Sequence, residues 1–281
     1  MERVKIAPAY DPKWLEVDRP QALCDDYLES LFEKITTGWQ ADHTLAGIDK
    51  FKQQASDWIL SSKLNQLSSF DSFNRLDVII GCTQFIDNIY MKSQPQVLQG
   101  DYKYHHRLGN WSRQPGGLSV KTPLVIAMPF PSTGAVHDQM GDILDESQDK
   151  GISVHVDGAW LTCCRGINFD VSHPAIRSVG ISLSKGLGLG WNRIGLRWSK
   201  DQPADSISIM NDFNMHCRML TMVGSHVLDN VEPDYLWKTY GELNAKVCKD
   251  FNLIPSKAIH MAYTLEGNFV GISPLIRYLM K

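Results

Sequence analysis

The sequence predicts an α/β fold in which a mostly parallel central sheet is covered by helices. Between residues 76 and 200, short and nearly continuous apolar runs alternate with helical segments. Such runs are typical of parallel strands that helices bury on both faces. Helical patterns dominate both ends of the chain, and its 281 residues are enough to bury a large core.

The first part of the chain, residues 1–70, is predicted to be an extended arm followed by helices. The helical stretches are "PQALCDDYLESLFEKITTGW" and "TLAGIDKFKQQASDWILSS", whose apolar residues recur at helical spacing. Prolines mark the residues before them, which favours an extended arm there.

Six strands are predicted in the central part, residues 71–205. They are "LDVIIG", "PQVLQG", "PLVIAMPF", "ISVHVDG", "VGISLS" and "RIGLRW". Between the third and fourth strands, "HDQMGDILDESQDKG" has the pattern of an amphipathic helix that ends at Gly151. Residues 206–281 are predicted to be helical again, with a short mixed tail.

The composition argues against several classes of partner. A net charge of −3 gives no reason to expect nucleic acid or an anionic membrane surface. No apolar run approaches the roughly 20 residues of a membrane span, and the first residues lack a signal-peptide core. The six cysteines contain no CxxC pair, so we expect no disulfide framework and no metal site. A reducing, cytoplasmic location is the expectation that follows.

Two charged residues stand alone at the ends of predicted strands. Asp157 ends "ISVHVD", and Lys185 follows "VGISLS". Strands of a parallel sheet direct their carboxyl ends to one rim, where ligands of such folds bind. The pair is therefore either an ion pair at the rim or part of a site for a charged ligand.

Further residues around these strands favour an anionic ligand. The turn at residues 81–83 opens a helical pattern, and the N–H groups at a helix start favour a phosphate. Arg193 stands at the start of another predicted strand, and Ser182 and Ser184 flank the end of "VGISLS". A guanidinium fork and two hydroxyls suit a phosphate dianion. In "GDYKYHH", a ring of Tyr102, Tyr104 or His105 could cover a flat ligand.

Taken in order, these motifs resemble those of pyridoxal-phosphate (PLP) enzymes of fold type I, the aspartate aminotransferase superfamily. The resemblance covers residues 76–200 and is most specific over residues 182–195, read as S-x-S-K and then R-x-G. It implies PLP as cofactor and a PLP-dependent transferase-like large domain. Because the chain is short for this superfamily, a reduced small C-terminal domain is expected over residues 206–281.

The resemblance also implies roles for individual residues. Lys185 would form the Schiff base, and Asp157 would keep the pyridine nitrogen protonated so that the ring accepts electrons. The residues expected at the phosphate are Cys82, Thr83, Ser182, Ser184 and Arg193.

The remaining predicted positions concern the ring and the substrate. Tyr102 matches the position that stacks on the ring, with His105 as a rival. Arg277 is the candidate for binding a substrate carboxylate, and Arg218 is a second, less favoured one. The superfamily also implies a homodimer, with the N-terminal arm able to reach across it.

The chain departs from the aminotransferase pattern at two places. Pro131 begins "PSTG" where aminotransferases usually read N-P-T-G, and Trp160 stands where many have a tyrosine. "HVDGAWL" and "LSKGLG" are similar to threonine aldolases, which have an arginine at the position of Trp160. "HVD-x-AW" also occurs in the glutamate-decarboxylase-like group, but those enzymes usually have a histidine where Ser184 precedes the lysine. Arg193 and Gly195 favour an aminotransferase.

The leading interpretation is an aminotransferase acting on an amino acid or related amine. Three alternatives stay open. A PLP-dependent lyase would break a different bond at Cα by aldol cleavage or decarboxylation. A degenerate protein would keep the fold without catalysis. A nucleotide or S-adenosylmethionine binder would use "KGLGLG", although such a loop is expected after the first strand of a domain.

Overall fold

The computed structural model describes residues 23–37, 45–108, 117–216 and 218–280. The arm predicted for the first 20 residues lies outside these ranges. The helices are α1 (Asp26–Thr37), α2 (Leu45–Leu60), α3 (Gly81–Lys92), α4 (Lys103–Leu108), α5 (Met140–Asp149), α6 (Ser206–Asp212), α7 (Arg218–Asn230), α8 (Tyr235–Asp250) and α9 (Ser273–Leu279). The strands are β1 (Gln66–Ser68), β2 (Arg75–Ile79), β3 (Gln96–Val97), β4 (Leu124–Ala127), β5 (Val154–Gly158), β6 (Asn168–Asp170), β7 (Ile176–Ser182), β8 (Gly195–Ser199), β9 (Ile254–Pro255), β10 (Met261–Tyr263) and β11 (Phe269–Gly271).

The central sheet has six strands in the order β2-β8-β7-β5-β4-β3. β3, β4, β5 and β7 pair in parallel, whereas β8 is antiparallel to both of its neighbours. Five of the six strands therefore run in the same direction. All six correspond to the apolar runs identified in the sequence, and the prediction of a mostly parallel α/β sheet is confirmed.

Helices bury both faces of this sheet, as its apolar strands require. Alternate residues of a strand face opposite sides, so Val78 packs into the main core while its neighbour Ile79 packs against Phe85 of α3. Gly180 of β7 lets α3 lie close to the sheet, because a Cβ there would come within 2.5 Å of the Phe85 ring. The start of α3 is thereby held at the rim where β7 ends.

The C-terminal part of the chain lies against the same rim. It contains α8, the small antiparallel sheet β9–β11 and α9. Cys164 forms a β-bridge with Ala258, and the Tyr263 hydroxyl donates to the carbonyl of Pro131 at 2.8 Å. These contacts carry the segment around Ala258 to the loop that follows Asp157. Among the described residues, no helix combines the length and the apolar character that crossing a bilayer demands.

Candidate functional site

A glycine surrounded by donors marks one end of the rim. Gly81 opens α3 with a positive φ of 69°, a conformation that favours glycine. A Cβ at this position would lie 3.0 Å from Arg193 Nη2 and 3.3 Å from the hydroxyls of Ser182 and Ser184. The turn after β2, the end of β7 and the loop before β8 therefore converge on one small space.

Hydrogen bonds hold the members of this group in place. Arg193 Nη2 donates to Thr83 Oγ1 at 2.7 Å. Ser184 is buried, and its hydroxyl accepts from the Ile194 amide at 3.2 Å, which joins the segment after β7 to the start of β8. We call Gly81, Thr83, Ser182, Ser184 and Arg193 the Gly81 cradle. Its guanidinium, hydroxyls and helix N-terminus all favour an anion.

Asp157 lies at another corner of the rim, buried at the carboxyl end of β5. Oδ1 accepts from the Ala159 amide at 2.9 Å, and Oδ2 lies 3.0 Å from His105 Nε2. Burial by itself would raise the pKa of this carboxyl, but hydrogen bonds from His105 and from the Cys82 thiol outweigh it and lower the pKa. The site therefore contains a buried carboxylate that stays charged.

His105 connects Asp157 to a second buried carboxylate. Its Nδ1 lies 3.1 Å from Asp101 Oδ1, so one imidazole lies between two acids. Burial alone would lower the pKa of His105, but the contacts with Asp101 and Asp157 raise it to about 10. Asp101 in turn accepts from the Ala127 amide at 3.1 Å, which ties the group to the end of β4. We call Asp101, His105 and Asp157 the acid–histidine cluster.

Lys185 is the third corner. Its Nζ lies 4.8 Å from the centroid of the Trp160 ring, and the residue is only partly exposed. Burial lowers the pKa of Lys185, and the charge of Arg193 lowers it further, while Asp157 acts in the opposite direction. A lysine with a lowered pKa has more of its amine in the neutral, nucleophilic form at a given pH.

Tyr102 and Cys82 complete this part of the rim. The Tyr102 hydroxyl is buried without a hydrogen-bond partner, and its ring lies edge-on to His105 with the centroids 5.9 Å apart. Burial raises the pKa of the Cys82 thiol well above its usual value, so the thiol stays protonated beside Asp157. The Cys82 thiol thus lies at Asp157, although the sequence predicted this residue at the phosphate, and Tyr102 lies next to His105.

Arg277, the residue predicted to bind a substrate carboxylate, does not join the group at the rim. It is exposed on α9, and its charge acts on the Cys24 thiol. Its role with a substrate carboxylate stays a prediction. Arg218 begins α7. The other predicted residues, Cys82, Thr83, Tyr102, Asp157, Ser182, Ser184, Lys185 and Arg193, come together at the rim.

The sequence analysis did not identify Asp101 and His260, and it found only part of the role of His105. His105 was considered only as a ring for stacking, whereas the structure shows it bonded to Asp157. Asp101 was not singled out, although its spacing of four residues from His105 suits a side-chain pair around a helix start. His260 had no local signal, because only the folded chain brings it to Trp160.

Comparison with known proteins shows a likeness in structure. No protein-family model matches the chain, and no curated protein matches it in sequence. Tyrosine aminotransferase from Leishmania infantum is similar with a TM-score of 0.63 at 13% identity, over 94% of this chain and 90% of that one. Aspartate aminotransferase from Rhizobium meliloti is similar with a TM-score of 0.61 at 14% identity, over 93% and 78%. A PLP-bound C–S lyase from Staphylococcus hominis is similar with a TM-score of 0.53 at 12% identity, over 84% and 69%.

These likenesses define the class of fold. The chain has the α/β fold shared by these aminotransferases, and the predicted fold is thereby confirmed. At such identities the fold is what the comparison establishes, so the activity must be argued from the site.

Proposed function

We propose that this protein is a PLP-dependent transferase, and specifically an aminotransferase that acts on an amino acid or a related amine through Lys185. The observation that carries the proposal is the meeting of three different anchors at one rim. These are an anion cradle around Gly81, a buried carboxylate at Asp157 and a lysine of lowered pKa at Lys185. PLP has one chemical group for each: a phosphate, a basic ring nitrogen and an aldehyde.

The residues present fit this cofactor. The donors around Gly81 are 3.0–3.3 Å from the position of an added Cβ, which is a cradle with cationic and hydroxyl character. Asp157 stays ionised in spite of its burial, which is what a protonated ring nitrogen requires as a partner. The Tyr102 hydroxyl is buried in the same site without a hydrogen-bond partner, which supports a role in binding a ligand.

Each group of the chain then has a defined task. PLP, when bound, supplies an electron sink for the pair of electrons released at the substrate Cα. The Gly81 cradle would bind the phosphate, and Asp157 would hold a proton on the ring nitrogen. His105 would keep Asp157 oriented and ionised through its hydrogen bond to Oδ2. Lys185 Nζ would hold the aldehyde carbon and, once the substrate amine displaces it, would move the proton at Cα as a general base.

Reconstitution with PLP tests the proposal. We expect a visible absorbance band, and reduction with borohydride followed by mass spectrometry should place the covalent adduct on Lys185. Adding a panel of amino acids without an acceptor should convert part of the band to that of the pyridoxamine form. A protein that binds no PLP, or links it to another lysine, would contradict the proposal.

A lyase is the second candidate. The similarity to a C–S lyase favours it, since the same anchors serve reactions that break other bonds at the substrate. Released aldehyde, carbon dioxide or thiol, with no pyridoxamine form, would identify this activity. A protein that binds PLP but converts no amine would match the third alternative, a degenerate and non-catalytic fold.

Three further statements belong to the proposal. The superfamily resemblance supports a homodimer, which sedimentation would test. The cysteines that the structure describes are all free thiols, which supports a reducing, cytoplasmic location. The division into residues 1–70, 71–205 and 206–281 stays a prediction that limited proteolysis would check.

A further inference from the structure

The Trp160 side chain lies against the amine of Lys185. Its ring centroid is 4.8 Å from Lys185 Nζ, and the tryptophan is buried. The same ring packs against the His260 imidazole, with the centroids 5.2 Å apart. The Trp160 carbonyl accepts from the Cys163 amide at 2.9 Å, in the turn that follows β5. The backbone and the neighbouring side chains therefore hold the indole in place beside the lysine.

An indole face attracts the charged form of a lysine. The π electrons make the face of the ring negative, so an ammonium within about 6 Å of the centroid is stabilised, and tryptophan is the most effective aromatic side chain in this respect. The attraction increases when both partners are shielded from water, as they are here. A neutral amine has no net charge, so the contact favours the protonated state of Lys185 over the neutral state.

The other groups around Lys185 act on its proton in both directions. Burial lowers the pKa of Lys185, and the charge of Arg193 lowers it further. Three acidic groups around the amine raise it: Asp157, Cys82 and Cys163. His260 is neutral, because burial and the charge of Lys185 lower its pKa to about 3. Trp160 has no formal charge, but its ring acts in the same direction as Asp157.

We propose that the Trp160 ring binds the protonated amine of Lys185 and enables this buried lysine to hold the proton that it removes from the substrate. The consequence for catalysis rests on the proposed function. In that reaction the Cα–H bond of the substrate breaks, the proton moves to the neutral Nζ of Lys185, and the electron pair stays at Cα and is taken up by the cofactor. Nζ thereby becomes an ammonium, which is the form that the indole face stabilises. Trp160 thus has a role of its own at a position where the chain departs from the aminotransferase pattern.

Nuclear magnetic resonance measures the protonation of this one amine. The ligand-free protein would be labelled with ¹³C at the lysine ε carbons and titrated from about pH 6 to about pH 12. The signal of Lys185 is the one that is missing from Lys185→Arg. The midpoint of its titration reports the effect of Trp160 independently of activity.

Two variants of Trp160 change the ring beside the amine. Trp160→Leu removes the π face, so we expect the Lys185 midpoint to fall by about one pH unit, the size of one buried cation–π contact. Trp160→Phe keeps a weaker face and should show a smaller fall. The sign separates two causes, because a smaller side chain that merely admitted water would ease the burial of the ammonium and raise the midpoint. Circular dichroism would show which variants fold.

Fluorinated tryptophan tests the same contact without a substitution. Fluorine withdraws electrons from the ring face and leaves the side chain nearly the same size, so we expect the Lys185 midpoint to fall in the wild-type chain grown with fluorotryptophan. All eight tryptophans would be fluorinated. Lys200 is the internal control, because its Nζ lies 5.7 Å from the ring of Phe73, which stays unfluorinated. This measurement decides the question if the Trp160 variants do not fold.

Phe73→Leu is the matched control variant. It removes the ring beside Lys200, which is the corresponding lysine–ring contact away from the rim. The Lys185 midpoint should stay at its wild-type value in this variant.

The outcomes separate the two proposals. A Lys185 midpoint that falls in the folded Trp160 variants and in the fluorinated protein, while that of Lys200 does not move, supports the inference. A midpoint that is unchanged or higher in the fluorinated protein overturns the inference, and the borohydride adduct on Lys185 still decides the proposed function. If the midpoint falls but the protein links no PLP to Lys185, the indole contact stands and its part in catalysis is overturned together with the proposed function.

Discussion

Two buried clusters of charge in this protein use similar residues and differ in how completely they are paired. At one edge of the sheet, Arg197 donates to Asp77 at 2.6 Å, to Asp205 at 2.7 Å and to the Ser208 hydroxyl at 2.9 Å. This edge cluster joins β2, β8 and the start of α6. Its guanidinium nitrogens are all engaged, as Nε also donates to Asp77.

The rim is different. The acid–histidine cluster is ion-paired, but around it the Tyr102 hydroxyl and both nitrogens of His260 have no partner, and Lys185 contacts an aromatic ring. A buried ion pair stabilises a fold only when its polar atoms are satisfied, whereas unpaired groups are expected where a ligand supplies the missing partners. The edge cluster is therefore a structural element, and the rim is the candidate binding site.

Lys185→Ala should have the largest effect, because it removes the amine proposed both to form the covalent link and to act as the base. We expect activity to fall by about 10⁴-fold, and the borohydride-stable adduct to disappear. Transaminase turnover measures the activity, and mass spectrometry detects the adduct. Lys200→Ala is the control, since burial also lowers the pKa of Lys200 but its Nζ donates to the carbonyls of Ser172 and His173 away from the rim. A Lys185 variant with wild-type turnover would remove the lysine from the mechanism.

Arg197→Met should lower the stability of the fold rather than the activity. It removes the cation that Asp77 and Asp205 share. Only Arg75, 2.8 Å from Asp77, and Lys92, 2.9 Å from Asp205, then remain as partners, so we expect a loss of about 3 kcal/mol of unfolding free energy. Urea unfolding gives this value. Arg177→Met breaks the exposed pair with Asp201 and should cost about 1 kcal/mol or less. Equal losses in the two variants would show that the edge cluster is not the structural element described here.

Asp157→Asn should lower the activity rather than the stability of the fold. The side chain keeps its shape but loses the charge that would hold a proton on the ring nitrogen, so activity should fall by about 10- to 100-fold, as for one charged hydrogen bond. The pKa of His105 should also fall, because one of its two anionic partners is gone. Turnover assays would measure the activity, and a ¹H–¹⁵N NMR titration would measure the pKa of His105. A variant with wild-type turnover would contradict the role of Asp157.

The stability that His105 provides should depend on pH. Its pKa is raised to about 10 in the folded protein, so its contribution is complete below about pH 6.5, the usual histidine pKa, and is lost as the pH rises toward that raised value. The difference in unfolding free energy between the wild type and His105→Gln should therefore shrink from about pH 6.5 to about pH 9.5. His155→Gln is the control, since burial lowers the pKa of His155 to about 4 and its difference should stay constant over that range.

Thr83→Val should have the smallest effect. It removes the hydroxyl that accepts from Arg193 at 2.7 Å while keeping the side-chain volume. We expect PLP affinity to fall by about fivefold, which corresponds to about 1 kcal/mol for one hydrogen bond. Fluorescence titration would measure it, with Thr221→Val in α7 as a buried control. Unchanged affinity in Thr83→Val would show that the hydroxyl does not support the cradle.

Much of the fold was predictable from the chain alone. The apolar run of β4 is continuous because helices cover both faces of the sheet, and this pattern is local. Asp157 and Lys185 could be placed at one rim because parallel strands end on the same side. The antiparallel direction of β8 could not be read in this way, since a buried strand has the same composition in either direction.

The sequence by itself determined the strands, the helices that bury them and the residues at the strand ends, because these depend on spacing along the backbone. Only the tertiary structure decided that His105 bonds to Asp157 and that His260 reaches Trp160. Those contacts join segments far apart in the chain, and whether a buried polar atom is paired depends on what the folded chain places around it.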